Sequence, residues 1–112
     1  MDELSERRAH KRHAVSFAIH CRRLGPRRAE STEQVDVVDL SLGGMRISAP
    51  SWADIGNVLE IELDGVALRG LVVGLSGRGI DGGFAYAHVA FGSLTTEAFG
   101  AVLELLDASV DA

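Results

Sequence analysis

The chain has one cysteine, two prolines, one tryptophan and one tyrosine among 112 residues, and only 5% of it is aromatic. A single thiol, Cys21, rules out an internal disulfide and any cysteine-rich zinc module. Scarce aromatic rings leave little with which to stack a run of bases, as single-strand nucleic-acid binders do. The longest apolar runs fall well short of the ~20 residues that span a bilayer. The opening MDELSERR is charged and has no apolar signal core, so no membrane insertion and a cytoplasmic setting are expected.

What is present is the composition of one folded domain: 46% hydrophobic, 24% charged, and thirteen glycines that imply frequent turns. The net charge of −5 hides an asymmetry. Residues 1–30 hold eight Lys/Arg against four acids, and residues 31–112 hold three against twelve. A basic leader on an acidic body favours a local anion site over a long nucleic-acid track, which needs positive charge spread along a face. No nucleic-acid partner is therefore expected.

Hydrophobic periodicity is mostly two. In 14–21, Val15, Phe17, Ile19 and Cys21 share a face; 22–33 is polar, holds Gly25-Pro26, and reads as a loop. Strands follow at 34–40, at 45–49 after the Ser41-Leu42-Gly43-Gly44 break, and at 58–64, where Leu59, Ile61 and Leu63 alternate with acids. Asp64-Gly65 is a hairpin turn signal into a strand at 66–75. The glycines at 77, 79, 82 and 83 mark another turn before the strand at 84–91.

Six strands with short connections predict an antiparallel barrel or sandwich. The end of the chain changes period: Phe99, Val102, Leu103 and Leu106 stand at i, i+3, i+4 and i+7, one face of a helix that Ser93 or Thr95 can cap. Such a helix most simply plugs an open barrel end. The expected organisation is one domain: a basic arm over 1–13, a barrel over 14–92 and a helix over 93–107.

No enzyme signature emerges. His10, His13, His20 and His88 lack the spacing of a metal site, and no His-Glu-x-x-His or Cys-x-x-Cys occurs, so no metal is expected. Ser41 lacks a Gly-x-Ser-x-Gly elbow, and the 77–83 glycine run lacks the Lys-Ser/Thr and following helix of a phosphate loop. No catalytic residue is assigned.

Two clusters stand out. One is Arg7, Arg8 and Arg12 in 6-ERRAHKR-12; the other is 39-DLSLGG-44, with Asp39 and Ser41 two apart before Gly43 and Gly44. Guanidinium groups clamp phosphate, read the guanine O6/N7 edge and stack on purines. A carboxylate accepts from the guanine N1–H and N2–H₂ edge, and glycines admit close approach to backbone N–H donors. These are parts for a guanine nucleotide carrying phosphates. Read blandly, the arginines are a solvated arm and Asp39-x-Ser41 an Asx- or ST-type turn.

At these residues the chain resembles the PilZ domains, bacterial receptors for cyclic di-GMP. Their R-x-x-x-R is matched by Arg8-Ala9-His10-Lys11-Arg12, and their D/N-x-S-x-x-G by Asp39-Leu40-Ser41-Leu42-Gly43-Gly44. The resemblance extends from Glu6 to about Leu106 and takes in Gly-Gly-Met-Arg-Ile and the HVAFGSLTTEAF transition. It implies a six-stranded antiparallel β-barrel of PilZ type closed by a C-terminal α-helix, all-β apart from that helix. It implies that Arg8 and Arg12 bind guanine edges and phosphates, with Arg7 as a further contact. Asp39 and Ser41 would read a guanine, Gly43 and Gly44 would leave room for it, and the arm would fold over the ligand. The chain departs from the family at His13, where many members are apolar, and near Gly74 and Leu75, where many carry an aromatic ring. The expected function is a cyclic di-GMP receptor that signals through an unidentified downstream protein. The alternative is a PilZ-like adaptor that binds its partner without nucleotide.

Overall fold

The structure, a computed structural model, describes residues 12–24, 32–80 and 82–111. Six strands, β1 (His13–Leu24), β2 (Glu33–Leu40), β3 (Gly44–Ser48), β4 (Val58–Leu63), β5 (Val66–Arg78) and β6 (Phe84–Phe91), precede one helix, α1 (Thr96–Asp111). All pairings are antiparallel, and the order β1-β2-β3-β6-β5-β4 closes on itself through β1 and β4. Closure removes the exposed sheet edges that would otherwise pair with other chains.

Alternation drives the barrel. Ile19 and Cys21 of β1, Val35, Val37 and Leu40 of β2, and Met45 and Ile47 of β3 all turn inward and are buried. Leu59, Ile61 and Leu63 of β4 meet Leu68 and Val72 of β5 and Ala87 and Val89 of β6 in the same core. Burying such a side chain contributes about 1.5–3 kcal/mol, so a one-residue slip of any strand would be strongly opposed. The Cys21 thiol sits in this apolar interior, and burial, with the nearby Glu33 charge a smaller cause, pushes its pKa from 9.0 up to about 11. A thiol held neutral there is neither nucleophile nor metal ligand.

Two strands outrun their expected ends. β1 continues through Arg22-Arg23-Leu24, read from sequence as loop, because β4 offers partners: Arg22 pairs with Glu60, Arg23 with Leu59 and Leu24 with Val58. Arg22 donates to Glu60 Oε1 from Nε at 2.9 Å and from Nη2 at 2.6 Å, and Arg23 lies 5.8 Å from the Trp52 ring centre. β5 likewise runs to Arg78, so that Gly77 falls within a strand rather than in the turn, at φ +71°.

The helix corrects one expectation. Thr95 caps it, its Oγ1 accepting from Ala98 N at 3.1 Å. The buried residues are Ala98, Ala101, Val102 and Leu106, facing β1, β4 and β5, whereas Phe99 and Leu103 are 44% and 37% exposed. Positions 98, 101, 102 and the partly buried Leu105 follow the same helical spacing as the larger stripe read from sequence. Alanines at 98 and 101 are buried in place of Phe99 and Leu103, so α1 packs with a face rotated from its bulkiest one. No helix among the described residues is long and apolar enough to cross a membrane.

Candidate functional site

The turn between β2 and β3 is built around a buried serine. Ser41 Oγ accepts from Gly43 N and Gly44 N, each at 3.1 Å, and donates to Gly44 O at 3.3 Å. Ser41 N donates to the same Gly44 carbonyl at 2.8 Å. The turn is also docked onto β6, since Phe91 N donates to Gly43 O at 2.9 Å. A Cβ on Gly44 would lie 2.2 Å from Val89 O, so no side chain fits between β3 and β6 there. The serine and paired glycines thus make a rigid corner at the end of β2.

That corner aims Asp39 outward. Its neighbour Leu40 is fully buried, and a register shift between Val37 and Asp39 re-sets the alternation so that Asp39 sits on the outer face. Across the sheet Asp39 pairs with Ala14 of β1 on one side and Arg46 of β3 on the other. Arg46 pairs in turn with His88 of β6, and His88 with Gly74 of β5. One cross-strand row therefore runs Ala14, Asp39, Arg46, His88, Gly74 over five strands.

The row combines acceptors and donors. Arg46 Nε lies 3.2 Å from Asp39 Oδ2, and the two side chains are 38% and 13% exposed. The Nε atom itself is buried and out of line for a hydrogen bond, so the contact is ionic. The Arg46 guanidinium carbon also lies 5.2 Å from the Tyr86 ring centre, a cation–π contact. His88 Nε2 and Ser76 Oγ share a 2.7 Å hydrogen bond, which holds the imidazole beside Gly74. A surface with a carboxylate, a guanidinium, an imidazole and bare backbone in line can take a planar polar ligand edge-on.

Of the arginine cluster, Arg12 is brought beside this row through strand register. His13 pairs with Leu40 and Ala14 with Asp39, so exposed Arg12 enters β1 beside the Asp39–Gly44 corner. Arg7 and Arg8 lie outside the described residues, as does the rest of the arm up to residue 11. Sequence reasoning missed Arg46 and weighed no role for His88 other than metal ligation. The available signal was that Arg46 alternates with buried Met45 and Ile47 and so shares the outward face of Asp39. Among the described residues no group of three or more His, Cys, Asp or Glu could hold a metal ion. An open groove elsewhere, lined by Val58, Leu68, Leu71, Leu94 and Ala98 between the β4–β5 wall and the start of α1, contains none of these residues.

A closed six-stranded barrel with one packed helix and a polar row at the β2–β3 corner defines a small β-barrel domain. The chain belongs to the PilZ domain family, whose model matches residues 6–108. Among solved structures it is similar to the PilZ domain with c-di-GMP of YcgR from Escherichia coli. That likeness has a TM-score of 0.67 at 15% identity and covers 94% of this chain and 92% of that one. At that identity it shows the fold. No curated protein matches the chain.

Proposed function

We propose that this protein is a cyclic di-GMP receptor. It binds the dinucleotide through Arg7, Arg8 and Arg12 together with Asp39, Ser41, Gly43 and Gly44, and orders the arginine arm over it. The observation that supports this reading is the β1–β2 register, which sets the residue after Arg12 opposite Leu40 and so brings Arg12 near the start of a motif 27 positions on. Family membership supports it, and so does the c-di-GMP of the YcgR domain. In this reading Asp39 accepts from the guanine N1–H and N2–H₂ edge. Ser41 holds the corner, and the arm supplies positive charge to the two phosphates. In this reading the filled receptor acts by contact with a downstream protein in the cytoplasm, the newly ordered arm forming part of the contact surface.

Isothermal titration with cyclic di-GMP, with GTP and cyclic di-AMP as controls, tests this directly. The wild type binds cyclic di-GMP at micromolar concentrations or below. Arg8→Ala and Arg12→Ala each weaken binding by about 1.5–3 kcal/mol, roughly 10- to 150-fold. Amides of residues 5–13 gain exchange protection with ligand. Absence of wild-type binding, or arginine variants that bind as tightly as the wild type, would overturn the receptor reading and leave the adaptor.

A further inference from the structure

We propose that Arg46 is a positioning residue for Asp39, fixing the carboxylate so that the site discriminates guanine. The inference rests on the receptor reading above and assigns a role to a residue outside both motifs. Among the described residues Arg46 is the one ionic partner of Asp39, with Nε 3.2 Å from Oδ2. Arg46 is itself anchored from the other side, its guanidinium over the ring of Tyr86 at 5.2 Å. Tyr86 stands two residues before His88 on β6 and pairs with Ser48, so ring, guanidinium and carboxylate form a chain from β6 through β3 to β2.

The chain matters because base discrimination by one carboxylate depends on direction. An aspartate rotates about two side-chain bonds, and an acceptor weakens steeply once donor and acceptor are out of line. Reading N1–H and N2–H₂ needs both oxygens held in the plane of the base. The Arg46 charge, fixed against the Tyr86 ring beside Oδ2, attracts that oxygen and so limits the rotation of the carboxylate. The Arg46 charge already faces a carboxylate and a ring, with Nε buried and the side chain 38% exposed. A direct phosphate contact would persist in the Asp39→Asn background, whereas positioning through Asp39 would not.

A residue that acts through Asp39 loses its effect when Asp39 is changed, and a double-mutant cycle reads that coupling. In cyclic di-GMP titrations at physiological salt, Arg46→Gln weakens binding by about tenfold in the wild-type background and less than about twofold on Asp39→Asn. The preference for cyclic di-GMP over cyclic di-AMP narrows in Arg46→Gln. Arg46→Lys, which keeps charge but not the planar fork, recovers only part of the loss. Tyr86→Phe retains affinity and Tyr86→Leu loses it, which keeps the test open if Arg46→Gln does not fold. Equal losses in both Asp39 backgrounds, or an unchanged affinity in Arg46→Gln with wild-type binding intact, overturn the positioning role alone. Absence of wild-type binding overturns the receptor reading beneath it.

Discussion

Two hairpins of this barrel are punctuated alike in sequence and built on different physics. The β4–β5 hairpin turns at Asp64-Gly65, with φ of +52° and +79°, the two left-handed residues of a tight two-residue turn. A Cβ on Gly65 would meet nothing within 4 Å. The β2–β3 hairpin turns at Ser41–Gly44, where the hydroxyl ties two amides and Gly44 is pressed against the β6 backbone. One glycine answers to its own torsion angle and the other to a neighbouring strand. The first hairpin is a connection. The second is a corner held from three sides, and it carries the outward Asp39 and Arg46.

The sharpest way to break this contrast is Gly44→Ala. The new methyl would fall on the Val89 carbonyl, which belongs to backbone and cannot step aside, so stability should drop by about 3 kcal/mol in urea unfolding. A loss below about 1 kcal/mol would mean the β3–β6 contact yields easily. Ser41→Ala comes next. It strips Gly43 N and Gly44 N of their acceptor at a buried position and should cost about 2 kcal/mol, with weaker cyclic di-GMP binding as the corner loosens. Unchanged affinity would detach the corner from the site.

Gly65→Ala should cost about 1 kcal/mol, the penalty of an alanine held at left-handed φ, and should leave ligand affinity unaltered. A large binding defect there would erase the distinction between the hairpins.

The smallest effect at neutral pH concerns Cys21 of β1, which lies between the two hairpins and pairs with Glu33 of β2 and Ile61 of β4. Its folded pKa of about 11 exceeds the ordinary 9.0. Below pH 9 both folded and unfolded chains hold the proton, and the full stability is present. Between about 9 and 11 the unfolded chain releases it first, so stability falls as pH rises. Cys21→Ala should flatten the curve over that window alone; identical slopes in the two proteins would place the thiol in a wetter setting.

Much of this architecture was legible in residue order. Leu59, Ile61 and Leu63 alternate with acids and form β4 as read, and Phe84–Phe91 forms β6 within the expected bounds. Arg22 and Arg23 were not legible as strand, because two adjacent charges pair in a sheet only when a partner such as Glu60 stands opposite. On α1, periodicity offered two overlapping faces and hydrophobic size favoured Phe99 and Leu103, yet the barrel accepted the alanine-lined face. At the site, Asp39, Ser41, Gly43 and Gly44 were readable as a local motif. Arg46 and His88 were not, since their place in the row with Asp39 depends on the registers of two more strands, β3 and β6.

Local residue order set the period of the strands, the Asp64-Gly65 turn and the chemistry available in the two motifs. Each of these depends on neighbours a few positions apart, whose torsions and side-chain directions are local properties. Tertiary structure alone decided how far β1 runs, which face of α1 is buried, why Gly44 must lack a side chain and which residues flank Asp39. Those outcomes depend on distances between strands far apart in the chain. Only closure of the barrel sets them, by choosing one register at each of six seams so that the large apolar side chains face inward together.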